Sequence, residues 1–160
     1  HQTRATIDSY LHYHHRNIRE ASHGLVAPKI RKDLDIPEFV QESAKRSLTS
    51  ALKTLETGWL AKRQFLVSDN VTLADLAAYV EIGQLQPQFT NVYDLTRFPN
   101  VQRWLEDMAA VDSHDDVHVV LRELGDISVE APSMDTIKRA NKAALSTLKK
   151  RIAALGPLAT

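Results

Sequence analysis

The stretch SDNVTLADLAAYVE, residues 68–81, carries a complete set of local instructions for starting one helix at one residue. Thr72 stands where an N-cap belongs: its hydroxyl can accept the backbone N–H of Asp75, while the Asp75 carboxylate can reach back to the N–H of Thr72. That is a capping box, with Asp in place of the commoner Glu. Val71 before the cap and Leu76 at the fourth helical position make the pair of a hydrophobic staple. Leu73, Leu76, Ala77, Val80 and Leu85 are expected to form the apolar face of the helix that follows.

Working outward, Ile7, Leu11, His14, Ile18, Ala21 and Leu25 recur at spacings of three and four, the stripe of an amphipathic helix that Pro28 bends or ends. Asp35 and Pro37 restart the pattern, and a second long helix runs along Val40, Ala44, Leu48, Ala51, Leu52, Leu55, Trp59 and Leu60. FLVSDN reads as a packed connector. A further helix opens at Pro99 with Val101, Leu105 and Met108 on one side and Trp104 beside them. Ser113 is placed to cap a short helix carrying Val117, Val120, Leu121 and Leu124, closed by Gly125. From Met134 to Leu155 a last stripe ends at Gly156 and Pro157. No segment alternates like a strand. The expectation is an all-α bundle of about six helices, one domain over 1–160 with a core at 4–125, a linker at 126–133 and a C-terminal helix at 134–155.

The 160 residues, 43% apolar, suffice for one buried core. Twenty basic and twenty acidic side chains cancel, which argues against a dedicated nucleic-acid binder or a polybasic membrane docker. Without cysteine there is no thiolate nucleophile or Cys-ligated zinc, and a reducing, cytoplasmic setting fits. No apolar run approaches the ~20 residues of a membrane-spanning helix. The chain starts at His1 without an initiator Met, which leaves open whether residues precede it in the gene product.

Three segments in order carry a family resemblance. The TLAD box and staple after FLVSDN resemble the folding signature of the C-terminal domain of glutathione S-transferases. FPNVQRW, with Pro99, Asn100 and Trp104, resembles the helix that follows the box in that family. YLHYHHRNIR, with Tyr10, Leu11, His15 and Arg19, resembles the first long helix of theta-like members, and the basic last helix is similar to their extra C-terminal helix. The likeness spans Arg4 to Leu124 and beyond. It implies that a thioredoxin-like βαβ-ββα domain, which in the family holds glutathione and the Ser, Tyr or Cys at its sulfur, lies outside this chain. The electrophile pocket would lie between the two domains, with Tyr10, Tyr13, His14, Arg16 and Arg19 of the first helix facing it.

On this reading the chain is a free-standing helical module, non-catalytic on its own and with no cofactor, that binds a small molecule or protein at its first-helix face and is expected to pair with a second copy. The alternative is the electrophile-binding half of a theta-like transferase. About 80 residues of βαβ-ββα pattern upstream of His1 would favour that alternative. Other features carry less. His12 and His15 lack a third metal ligand, and His114 and His118 in HDDVH echo HExxH with an Asp one methylene too short. Tyr10, Tyr13, Tyr79 and Tyr93 with Gln86, Gln88 and Asn91 suit saccharide stacking, or are ordinary core-edge residues. From Trp104 to Glu130 eight acids face only Arg122, while Thr136 to Leu155 carries six bases and no acid. The last helix is therefore expected to fold back over the acidic region; as a nucleic-acid arm it would lack interleaved aromatics.

Overall fold

A computed structural model describes residues 2–125, 127 and 129–156, and among these residues every regular element is helical. Helix α1 spans Gln2–Asn17. The chain turns at Ile18 and Arg19, re-enters a wide π-turn at Ser22–Val26 and closes as the short α2, Ala27–Ile30. Pro28 sits in the first turn of α2, where its missing N–H costs little, and the helix ends two residues later, at Ile30, and not at the proline. The bend lets the chain pass close to α3 (Glu38–Thr54): a methyl group at Gly24 would overlap Ala44 Cβ and lie 3.3 Å from the Val40 carbonyl oxygen.

Helix α3 continues into a second π-turn, Leu55–Trp59. From there Glu56 reaches across to the next-but-one helix. Its carboxylate accepts the N–H groups of Asn100 at 3.1 Å and Val101 at 3.0 Å, satisfying two orphan donors at the start of α5, Pro99–Ala109. The connector is packed as expected, with Phe65, Leu66 and Val67 buried. Arg103 pins it, donating to the carbonyls of Leu60, Arg63 and Gln64.

Helix α4, Leu73–Ile82, begins at the Thr72 capping box. The Thr72 N–H and hydroxyl both donate to Asp75 Oδ2, at 2.9 and 2.8 Å. The expected apolar face is turned the other way. Ala74, Asp75, Ala78, Tyr79 and Ile82 enter the core, whereas Leu73, Leu76 and Val80 stand 58%, 50% and 68% exposed. The helix is apolar on two sides, and where it crosses its neighbours the crowded centre takes the alanines. Leu85 does reach the core, from the 3-10 turn Gly83–Leu85 that ends the helix.

The expected single helix after Ser113 is two: α6, His114–Val117, and α7, Val119–Leu124. Ser113 does not cap. Its backbone is left-handed, φ 65°, and its hydroxyl accepts from Arg151 at 2.7 Å. Gly125 ends α7 at φ 71°, the conformation that favours glycine. Helix α8, Met134–Leu155, starts at Ser133, whose hydroxyl accepts the Thr136 N–H, and lies along α6 and α7. Gly156 ends it, as expected, and Pro157 lies outside the described residues. The fold-back over the acidic segment thus occurs, held by Arg151 against Asp112 and Asp116 at 3.5 and 3.4 Å.

Candidate functional site

The first-helix residues separate on inspection. Tyr10 is fully buried, edge-on to Trp59 at 5.3 Å between ring centroids, and its hydroxyl finds no partner among the described residues. Burial pushes that phenol far above its ordinary value. His14 is buried too, and desolvation, then Arg19 and His15, lower its pKa from 6.5. Tyr13 is half-buried and donates to the Ala51 carbonyl at 3.4 Å. Only Arg16 and Arg19 of the five point outward, and neither has an ion-pair partner among the described residues. Arg19 borders an open recess of about 500 Å³ with His15, Glu20 and His23. Tyr10 and His14 are turned into the core because, with Ile18, they stand four residues apart on the inner face of the first helical segment.

A better-formed recess of about 380 Å³ lies between α4, α5 and α6. Leu76 and Val80 form one wall, Met108 the floor and Val117, 47% exposed, the far rim. Its polar corner is the pair His114 and His118, whose rings stack at 4.0 Å and 23° because i and i+4 share a helix face. Tyr79 meets both rings edge-on. The Asp115 carboxylate lies 3.1 Å from His114 Nδ1, so that nitrogen carries the proton, and Nε2 accepts the Tyr79 hydroxyl at 2.9 Å. His118 donates Nδ1–H to the His114 carbonyl at 2.7 Å, which leaves its Nε2 bare. Burial lowers the His118 pKa and raises that of Tyr79.

The recess is lined mainly by aromatic and apolar side chains, so it can hold a hydrophobic body and accept a hydrogen bond at His118 Nε2. Among the described residues no group of three or more His or carboxylate side chains is placed to hold a metal ion. His12 and His15 both point to solvent. Spacing alone brought His114 and His118 together; the contribution of Tyr79, 35 residues away, has no local signal. Of the four tyrosines grouped for saccharide stacking, Tyr93 joins Gln86 and Asn91 along a separate polar recess, while Tyr10, Tyr13 and Tyr79 lie elsewhere.

Comparison with known proteins bears on the fold and the family. The family model for the glutathione S-transferase C-terminal domain matches residues 7–112. Glutathione S-transferase T1 of Arabidopsis thaliana is 31% identical over 144 residues, covering 78% of this chain and 59% of that protein. Glutathione S-transferase theta-2 of Rattus norvegicus is 32% identical over 112 residues, 68% of this chain and 45% of its own length. The apo form of human glutathione-S-transferase T1-1 superposes with a TM-score of 0.62 at 22% identity, covering 91% of this chain and 62% of that one. The chain spans 22% to 59% of the length of the curated relatives it matches. It belongs to the glutathione S-transferase family, and what it contains of that family is the all-helical C-terminal domain in its theta-like form.

Proposed function

We propose that this chain is the helical wall of a transferase-type cleft, a docking and ligand-binding domain that does not conjugate glutathione by itself. The observation that supports it is the stripe Leu73, Leu76 and Val80 on α4, continued by Val117 across the recess, all large, apolar and exposed. Contiguous apolar surface of that kind marks a place where something binds. The partner is a thioredoxin-like half, in the same polypeptide or supplied separately, and it meets α4 and α6 in place of the first-helix face.

Activating a thiol needs a donor held within hydrogen-bond reach of the sulfur. Both hydroxyls that line the recess are engaged, Tyr79 with His114 Nε2 at 2.9 Å and Ser113 with Arg151 at 2.7 Å. Titrating a purified theta-type thioredoxin-like domain into the chain tests the docking. Binding that Leu76→Glu and Val80→Glu abolish supports it; binding unchanged by both, or conjugation of a nitroaromatic electrophile by the chain alone at enzymic rate, overturns it. A second reading rests on the same stripe: without that half, two copies cover it against each other, and sedimentation then gives a dimer that Leu76→Glu dissociates.

A further inference from the structure

The formal charge of the chain is zero, yet the long last helix is a separate electrostatic object. Between Thr136 and Leu155 it carries Lys138, Arg139, Lys142, Lys149, Lys150 and Arg151 and no acid. Only Arg151 turns inward to a carboxylate partner; the other five are exposed and form no ion pair among the described residues. The inner face of α8 is accounted for: Ala140 is fully buried, and Ile137, Ala144 and Leu148 lie half-buried on the side that meets α6 and α7.

The outer face is not plainly polar, as a solvated helix face would be. Met134, Leu145 and Ile152 stand 63%, 54% and 66% exposed. Their spacings of eleven and seven place them on one line along the helix. Lys138, Lys142 and Lys149, at spacings of four and seven, run beside that line. An aliphatic ridge flanked by long basic side chains, which can lay their stems along it and keep the ammonium groups in water, is the arrangement that settles at a bilayer interface.

We infer that the outer face of α8 is a reversible docking surface for an anionic lipid bilayer. The summed charge that argued against a membrane docker conceals this, because the acids lie in the segment beneath α8 and the unpaired bases lie above it. With no net charge to attract the rest of the molecule, the attraction also sets orientation: α8 faces the lipid, and the apolar recess on α4 and α6 stays clear of it. A nucleic acid is the poorer occupant, since no aromatic side chain lies on α8 to stack on a base. Three separate aliphatic side chains suit a fluid boundary that conforms to them, where a folded partner would need a groove shaped for each.

Each exposed base near an anionic surface strengthens partition about five-fold, and the attraction fades with salt over the Debye length. The test is co-sedimentation of the 160-residue chain with vesicles of phosphatidylcholine, alone or with about one part in three phosphatidylserine. Binding to the serine-containing vesicles only, weakening as salt rises, is expected. Lys142→Glu with Lys149→Glu should weaken it about twenty-five-fold or more. Leu145→Ser with Ile152→Ser should weaken it with the charge intact. Both pairs are solvent-facing, and unchanged helical circular dichroism verifies the fold. Equal binding to both vesicle types, no binding at low salt, both double variants binding like the parent, or displacement of the protein from vesicles by a single-stranded oligonucleotide would each overturn the inference.

Discussion

Trp104 donates its indole N–H to Asp75 Oδ1 over 3.1 Å at a point where neither residue is exposed to solvent. The same oxygen accepts the Leu66 N–H at 2.8 Å, while Oδ2 serves Thr72. One carboxylate therefore starts α4, anchors the connector and ties down α5. Asp75→Ala leaves two buried donors without an acceptor, each costing about 1–3 kcal/mol, in addition to the lost cap. A loss of roughly 3–7 kcal/mol in urea unfolding is expected, against about 1 kcal/mol for Thr72→Ala. Similar losses from the two would show that Asp75 is a cap and nothing more.

Gly24 marks the closest approach between the bent first segment and α3. A Cβ there meets Ala44 Cβ and the Val40 carbonyl, and backbone cannot move aside as a side-chain tip can. Gly24→Ala should destabilise by about 1–3 kcal/mol, although alanine is the better helix former. Gly58, where an added methyl group would meet nothing within 4 Å, provides the control: Gly58→Ala should be neutral or stabilising in the same unfolding assay.

What could be read in advance was whatever is encoded within one turn of chain. The Thr72–Asp75 box, the Pro99 start, the left-handed Gly125 and the stripe on α3 are of that kind. What could not be read depends on partners far along the sequence. Glu56 caps α5 from 44 residues away, Trp104 finds Asp75 from 29, and Tyr79 joins the histidine pair from 35. Helix α4 misled for a different reason. Leucine and valine on one side and alanine and isoleucine on the other are both apolar stripes, and hydrophobicity alone favours the larger side chains. Packing favoured the smaller ones.

That inversion is directly measurable. If Leu76 faces outward, Leu76→Ser should change stability by no more than about 0.5 kcal/mol, whereas Ile82→Ala, fully buried, should cost about 2–5 kcal/mol. The opposite ranking in thermal or urea unfolding would return Leu76 to the core.

One buried and one half-buried histidine, His14 and His118, are expected to shape the response to acid. His14 and His118 both have pKa values below their ordinary 6.5, in each case chiefly because burial disfavours the charged ring. For such a base the unfolded chain takes up its proton at higher pH than the folded one. Between 6.5 and the lowered values the unfolded state thus binds more protons, and stability falls as pH falls; above 6.5 the contribution is fully present, and below the folded values the loss levels off. Two such groups give a slope of at most about 2.7 kcal/mol per pH unit. The exposed carboxylates of Asp33 and Asp94, which a neighbouring guanidinium and the Thr96 hydroxyl respectively hold below 3.8, act in a separate window beneath that value. Urea unfolding from about pH 7 to about pH 5 should therefore show a decline that His14→Phe and His118→Phe each reduce. A decline that persists undiminished in the double phenylalanine variant would assign the acid sensitivity to other groups.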